Sequence, residues 1–461
     1  MSSSPHAGAS PLASVLRNRR FLTLWLAQLV TQVGGNMVLY GLTVLVFTQT
    51  HSTAATSLLI LTFLVPGVIF GAVAGVLVDR FDRRKILILT NALRGLAFLA
   101  MVLVGTNILF VYLLNIVVST ITTFFAPAES TVIPELVRKD QFMQANTLFM
   151  LTLNSSIALG FALLGPIVVK MAGATSLIAI VGGLYLVAAL LTVTLPASPA
   201  RRKAAVGREG DVAQTLSQLR EGLRYIRTNA SIRWPMAYLT VAASLIGVLG
   251  ALGPSFATSV LGLSATDFVV VVLPLGLGVV LGIIALNFFG HRLLRRRAIE
   301  GGLIALAVSL AIIAVAAPLA RLLQHTSLGA MTSVLPIVVL VAVVAGVAYA
   351  FVGIPSQTQL QEEIPAEVRG RVFGVLNALV SIASFLPIIL VGPLADLIGT
   401  AMVILFSAVA VGLAGVGSII TARPAPARAI PGRLAVPIPM APLAVTKPAL
   451  KAIDVDPHRG S

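Results

Sequence analysis

The sequence predicts an all-α membrane protein of twelve transmembrane helices, arranged as two six-helix halves. Three observations lead there. Of 461 residues, 57% are apolar and only 10% are charged, whereas a soluble domain carries roughly 25% charged residues to cover its wet surface. Apolar runs of the ~20 residues that span a bilayer as a helix recur along nearly the whole chain. One pattern also occurs twice: Pro134, Val137, Arg138, Phe142, Asn146 and Leu148 return as Pro365, Val368, Arg369, Phe373, Asn377 and Leu379, each 231 residues on.

The bilayer core tolerates no unpaired backbone groups, so each run is a helix or a barrel strand. Barrel strands need only ~10 residues and alternate apolar with polar; these runs are longer and do not alternate. The predicted helices are 21–47, 55–78, 86–104, 108–128, 143–168, 175–195, 234–260, 268–289, 301–320, 331–355, 372–394 and 400–421. With the N-terminus inside, the cytoplasmic segments hold 29 of the 32 Lys and Arg residues. That asymmetry follows the positive-inside rule and places both termini in the cytoplasm of a multi-pass inner (plasma) membrane protein. It also accounts for the net charge of +16 without a nucleic-acid partner. Residues 1–20 are polar and basic, with no short apolar core of a cleavable signal, so Phe21 to Phe47 is expected to act as an uncleaved anchor.

The domain plan is a cytoplasmic segment 1–20, a six-helix half 21–195, a central loop 196–233, a second half 234–421 and a disordered cytoplasmic tail 422–461. Within the loop, Val212, Leu216, Leu219, Leu223 and Ile226 keep helical spacing from Asp211 to Asn229. Such a helix either lies on the cytoplasmic leaflet or packs on the protein's own helix ends. The proline-bearing tail shows no period and is expected to stay disordered.

Several function classes drop out. Cysteine is absent, which removes disulfides and thiolate chemistry. No lysine follows a glycine, so there is no Walker A loop, and there is no Gly-x-Ser-x-Gly elbow. His6, His51, His291, His325 and His458 are scattered without metal-ligand spacing. No enzyme, cofactor or metal is expected.

Between helices 2 and 3 stand Gly71, Gly75, Leu77, Asp79, Arg80, Phe81, Asp82, Arg83, Arg84 and Lys85. This segment resembles the signature loop of the major facilitator superfamily, a Gly-x-Leu-x-Asp-Arg core followed by basic residues. The resemblance implies a latch that closes the cytoplasmic side in one state. Gly71 and Gly75 would let helix 2 approach a neighbour, and Asp79 would face a helix N-terminus. Arg80, Arg83 and Arg84 would pair with acids across the two halves. Asp82 departs from the family's glycine. Further segments, Trp25-Leu26-Ala27-Gln28, Pro134-Glu135-Leu136-Val137, Gln144-Ala145-Asn146 and Arg369-Gly370-Arg371-Val372-Phe373, resemble the macrolide- and siderophore-exporter branch. The likeness implies a major facilitator fold, a small-molecule substrate and no fixed cargo identity. Gly160 and Gly165-Pro166 partly resemble the antiporter motif of drug exporters, one residue out of register; a proline kink is the plainer account.

Polar residues inside the spans are the substrate-binding candidates. Gln28, Gln32 and Asn36 recur every fourth residue on helix 1; Asn115 lies on helix 4 with Ser119 and Thr122, and Asn377 on helix 11 with Ser381 and Ser384. Such groups face a wet cavity or bond a neighbouring helix. Arg94 lies about 12 Å into helix 3 at 1.5 Å per residue, where it either snorkels or pairs with Glu129 or Asp79. Glu129, at the expected cytoplasmic end of helix 4, is the carboxylate nearest the cavity walls and the candidate proton carrier. Asp267 and Asp396 fall at outer ends, where water is expected to solvate them. The reading is a secondary exporter of an amphipathic or lipophilic small molecule, expected to act as a monomer in contact with membrane lipids, with protons as the candidate coupling ion. The alternatives are a lipid or lysolipid flippase and a transport-deficient receptor or scaffold.

Overall fold

The computed structural model describes residues 11–78, 80–105, 107–197, 224, 226, 228–290, 293–323, 334–364 and 385–421. A short helix Pro11–Leu16 precedes α1 (Arg19–Thr50), α2 (Thr53–Val78), α3 (Arg83–Val104) and α4 (Ile108–Leu136). A helical run Phe142–Val193 follows. It breaks at Gly173, whose φ of 84° and ψ of 165° suit only glycine well, into α5 (142–172) and α6 (174–193). Then come α7 (Ala230–Ser259), α8 (Val269–Phe289), α9 (Arg295–Leu323), α10 (Val334–Glu363), α11 (Phe385–Ile398) and α12 (Thr400–Thr421). Among the described residues, ten helices are long and apolar enough to cross a membrane, counting the α5–α6 run once, and α11 is a shorter apolar helix. Every predicted span therefore meets a helix. The second copy of the repeat, the stripe Asn377, Ser381 and Ser384, most of the central loop and the tail lie outside the described residues.

Local chemistry sets several boundaries. The Asn18 side chain accepts the Arg20 and Phe21 amides and starts α1. Asp82, where the family has glycine, caps α3 by accepting the Arg84 amide at 3.0 Å. The expected end of helix 4 at residue 128 is corrected: α4 runs through Pro127 and Pro134 to Leu136. Prolines persist in membrane helices because side chains and neighbours resatisfy the freed backbone. Here Thr131 donates its hydroxyl back to the Pro127 and Ala128 carbonyls. Glu129 consequently sits about 10 Å inside the helix rather than at its end.

The packing is pseudo-symmetric. In the first group α2 packs on α4, and α3 lies between α4 and α6; in the second, α8 packs on α10, and α9 lies between α10 and α12. Arg83 pairs with Glu135 at 3.2 Å, tying the start of α3 to the end of α4. Arg295 grips Glu362 with two hydrogen bonds, of 2.9 and 3.1 Å, and ties α9 to α10 in the same way.

Helix ends carrying the basic loops define a basic face, with the far face opposite. The hydrogen bonds and the ion pair that join the two groups among the described residues sit at the far face. Tyr40 of α1 stacks on Phe268, centroids 4.7 Å apart, with Phe161 edge-on to both. The Tyr40 hydroxyl donates to the Thr266 carbonyl. Lys170 pairs with Asp267 at 2.5 Å. Asp396 of α11 accepts from the Ser52 hydroxyl at 2.7 Å and from the Thr53 and Ala54 amides at 2.8 and 3.0 Å. Asp396 is exposed, as expected at an outer end, and both it and Asp267 also bond to the other half.

Candidate functional site

Polar side chains from four helices of the first group converge in its basic-face portion. Arg94 of α3 is 2% exposed, so it does not snorkel. Its guanidinium lies 4.3 Å from the Phe125 ring centre on α4 and 4.6 Å from that of Tyr185 on α6. The rings replace part of the hydration that burial removes; a desolvated contact of this kind is worth about 2 kcal/mol. Arg94 also donates from Nε to the Thr90 carbonyl at 3.2 Å and from Nη2 to Asn91 Oδ1 at 2.5 Å. Tyr185 is anchored in turn, its hydroxyl donating to the Thr31 carbonyl of α1 at 3.2 Å.

One turn along α4 from Phe125, Glu129 is 7% exposed and interacts electrostatically with Arg94. Among the described residues its Oε1 has no hydrogen-bond partner. Gln28 of α1 is 1% exposed, and neither of its amide atoms has a partner among the described residues. It stands one turn from Leu24, which shares an apolar cluster with Leu87 and Phe125; Asn91 and Glu129 stand one turn from those two. Buried polar groups are normally satisfied. Glu129 Oε1 and the Gln28 amide depart from that rule among the described residues.

The other candidates divide. Gln32 is half-buried. Asn36 donates to the Gln32 carbonyl at 2.9 Å and to Ser156 Oγ of α5 at 3.1 Å. Asn115 is fully buried and donates to Thr62 Oγ1 of α2 at 2.6 Å. Both asparagines thus join helices, and Asn115 lies towards the far face, away from Gln28. Gly160 and Gly165 press α5 onto α1: a Cβ on Gly160 would stand 2.8 Å from that of Asn36, and one on Gly165 3.0 Å from that of Tyr40. Between them the helix is π-wound over Ile157–Leu164, and the Gly165 amide reaches the Gly160 carbonyl. This accounts for the extra residue in the glycine spacing.

The family profile described as Major Facilitator Superfamily matches residues 24–388. The chain belongs to that superfamily. It is a membrane transporter by family, similar to the Uncharacterized MFS-type transporter YfiS of Bacillus subtilis, at 26% identity over 85% of this chain and 90% of that one. It is also similar to Macrolide efflux protein A of Streptococcus pyogenes, at 24% identity over 82% of this chain and 90% of that one. The crystal structure of the nucleoside transporter NupG superposes with a TM-score of 0.64 at 15% identity, covering 87% of this chain and 98% of that chain, which shows the fold.

Within this facilitator fold the described contacts of the signature loop lie inside its own half. Gly71 is exposed and, among the described residues, has nothing within 4 Å of where a Cβ would point. Arg80 is exposed in the turn. Arg83 is buried against Glu135 of its own half, and Arg84 donates to the Val193 carbonyl at the end of α6, also in its own half. Asp79 and the surroundings of Gly75 lie outside the described residues. Sequence reasoning missed Asn91, Phe125 and Tyr185 as the setting of Arg94. Only Asn91 carried a signal, three residues before Arg94 on the same helical face.

Proposed function

We propose that this carrier exports an amphipathic or lipophilic small molecule by alternating access, exchanging it for protons at Glu129. The basic face is the cytoplasmic one, by the distribution of Lys and Arg, with both termini inside and the far face opening outward. The observation that carries the coupling is the buried Glu129 carboxyl, one oxygen unpartnered, beside an Arg94 whose position is fixed by two rings. A carboxyl in that setting changes its proton affinity when helix packing changes its distance to the cation or to water. An exchanger requires such a difference between its two access states. The similarity to a macrolide efflux protein supports export and makes macrolides the first compounds to try.

The test is uptake into everted vesicles under an imposed pH gradient, with macrolides, siderophores and lysolipids as cargo panels. Wild-type uptake should follow the gradient, and Glu129→Gln should abolish that dependence while retaining cargo binding. A Glu129→Gln carrier with full response to the gradient would remove Glu129 from coupling. Transport confined to lysolipids would replace the drug-like cargo with a lipid.

A further inference from the structure

The far-face contact of Asp396 has an arrangement that solvation at a helix end does not explain. The first amides of α2 have no partner within their own helix. The Thr53 and Ala54 amides are capped by the carboxylate of Asp396, on a helix of the other half. Ser52 completes the cap, donating its hydroxyl to Asp396 while accepting the Ala55 amide at 3.1 Å. A carboxylate at a helix N-terminus is also favoured by the helix dipole. One turn earlier on α11, Gly392 clears the approach: a Cβ there would stand 2.7 Å from the Ala54 Cα. Glycine and aspartate together bring the end of α11 down onto the start of α2.

We propose that Asp396 is the latch of the far face, a helix cap supplied in trans that exists only while the outer side is closed. The inference rests on the alternating-access reading above. When the halves part, the α2 amides and the Ser52 hydroxyl pass to water, and the carboxylate goes with α11. Lys170–Asp267 and the Tyr40 stack bind the same seam through α1, α5 and the segment before α8, so they guide closure without replacing the cap. Because the three hydrogen bonds are made in one state only, their loss moves the equilibrium between states.

The test uses the native absence of cysteine to place spin-label pairs on exposed sites of the full chain in nanodiscs. Gln49→Cys with Leu397→Cys spans the far face, and Arg80→Cys with Arg297→Cys spans the basic face. Asp396→Ala should raise the far-open population relative to closed by about tenfold, as expected for hydrogen bonds to a charged group, while the basic-face distance shortens in step. Asp396→Asn, which keeps one acceptor oxygen, should fall between, and serves if the alanine variant folds poorly. Distance distributions at both faces unchanged in both variants, with or without a lower melting temperature, would overturn the latch and leave Asp396 a structural cap. A far face that opens without any shortening at the basic face would uphold the latch and sink alternating access.

Discussion

Where α8 crosses α10, Gly278 and Gly346 bring the two backbones together, and the consequence of filling that crossing can be worked out. A Cβ on Gly278 would overlap the Val343 carbonyl, standing 2.8 Å from its carbon and 3.0 Å from the Gly346 Cα. Relaxed carbon contacts lie at about 3.5–4.0 Å, so Gly278→Ala forces the helices apart by nearly 1 Å. The opposing atoms are backbone and cannot rotate away. The cost should therefore reach the upper end of the usual overpacking range, about 3 kcal/mol, and close approach of small residues is what holds membrane helices together. Gly276, on the same helix, meets nothing within 4 Å among the described residues. Gly276→Ala should be neutral or slightly stabilising, since alanine is the better helix former by up to about 1 kcal/mol. The assay is the apparent melting temperature of both variants purified side by side in one detergent. Equal melting temperatures would refute the reasoning that this crossing is set by backbone contact.

Three further outcomes follow from the polar residues. Arg94→Lys keeps the charge but loses the flat face between Phe125 and Tyr185, so melting should fall by an amount matching about 2 kcal/mol; an unchanged melting curve would show that the rings do not hold the guanidinium. Asn115→Ala removes the bond to Thr62, worth about 0.6–2 kcal/mol in a membrane, and should lower stability while cargo affinity is kept; the opposite result in equilibrium binding would return Asn115 to the cavity. Gln28→Leu replaces an amide with no partner among the described residues and should raise stability by about 1 kcal/mol while transport in vesicles drops. Full transport with raised stability would reduce Gln28 to a burdensome core residue.

The spans were legible because the bilayer forces one solution on any long apolar run, and length needs no knowledge of neighbours. The boundaries were less so. Pro127 and Glu129 read as the end of helix 4, yet in a membrane a proline inside a helix costs less than an unsatisfied backbone outside one, and α4 continues to Leu136. Residue type named the polar candidates but carried no direction. Asn36 and Asn115 spend their amides on α5 and α2, while Gln28, chemically the same, has no partner among the described residues. Which of these holds depends on the rotation of each helix against its neighbours, a property of the whole packing and not of local spacing. The same applies to the seam. Ser52 and Asp396 are 344 residues apart, and no period links them, so Asp396 read as a solvated helix end. Once the far face closes, a charge at the end of one helix and bare amides at the start of another become complementary. The loop with the most recognisable sequence is thus not where the halves join among the described residues. A recognisable motif records what a loop does in some state of the cycle, whereas this conformation displays the contacts of the opposite face, and those are carried by Asp396, Asp267 and Lys170, residues that no motif singled out.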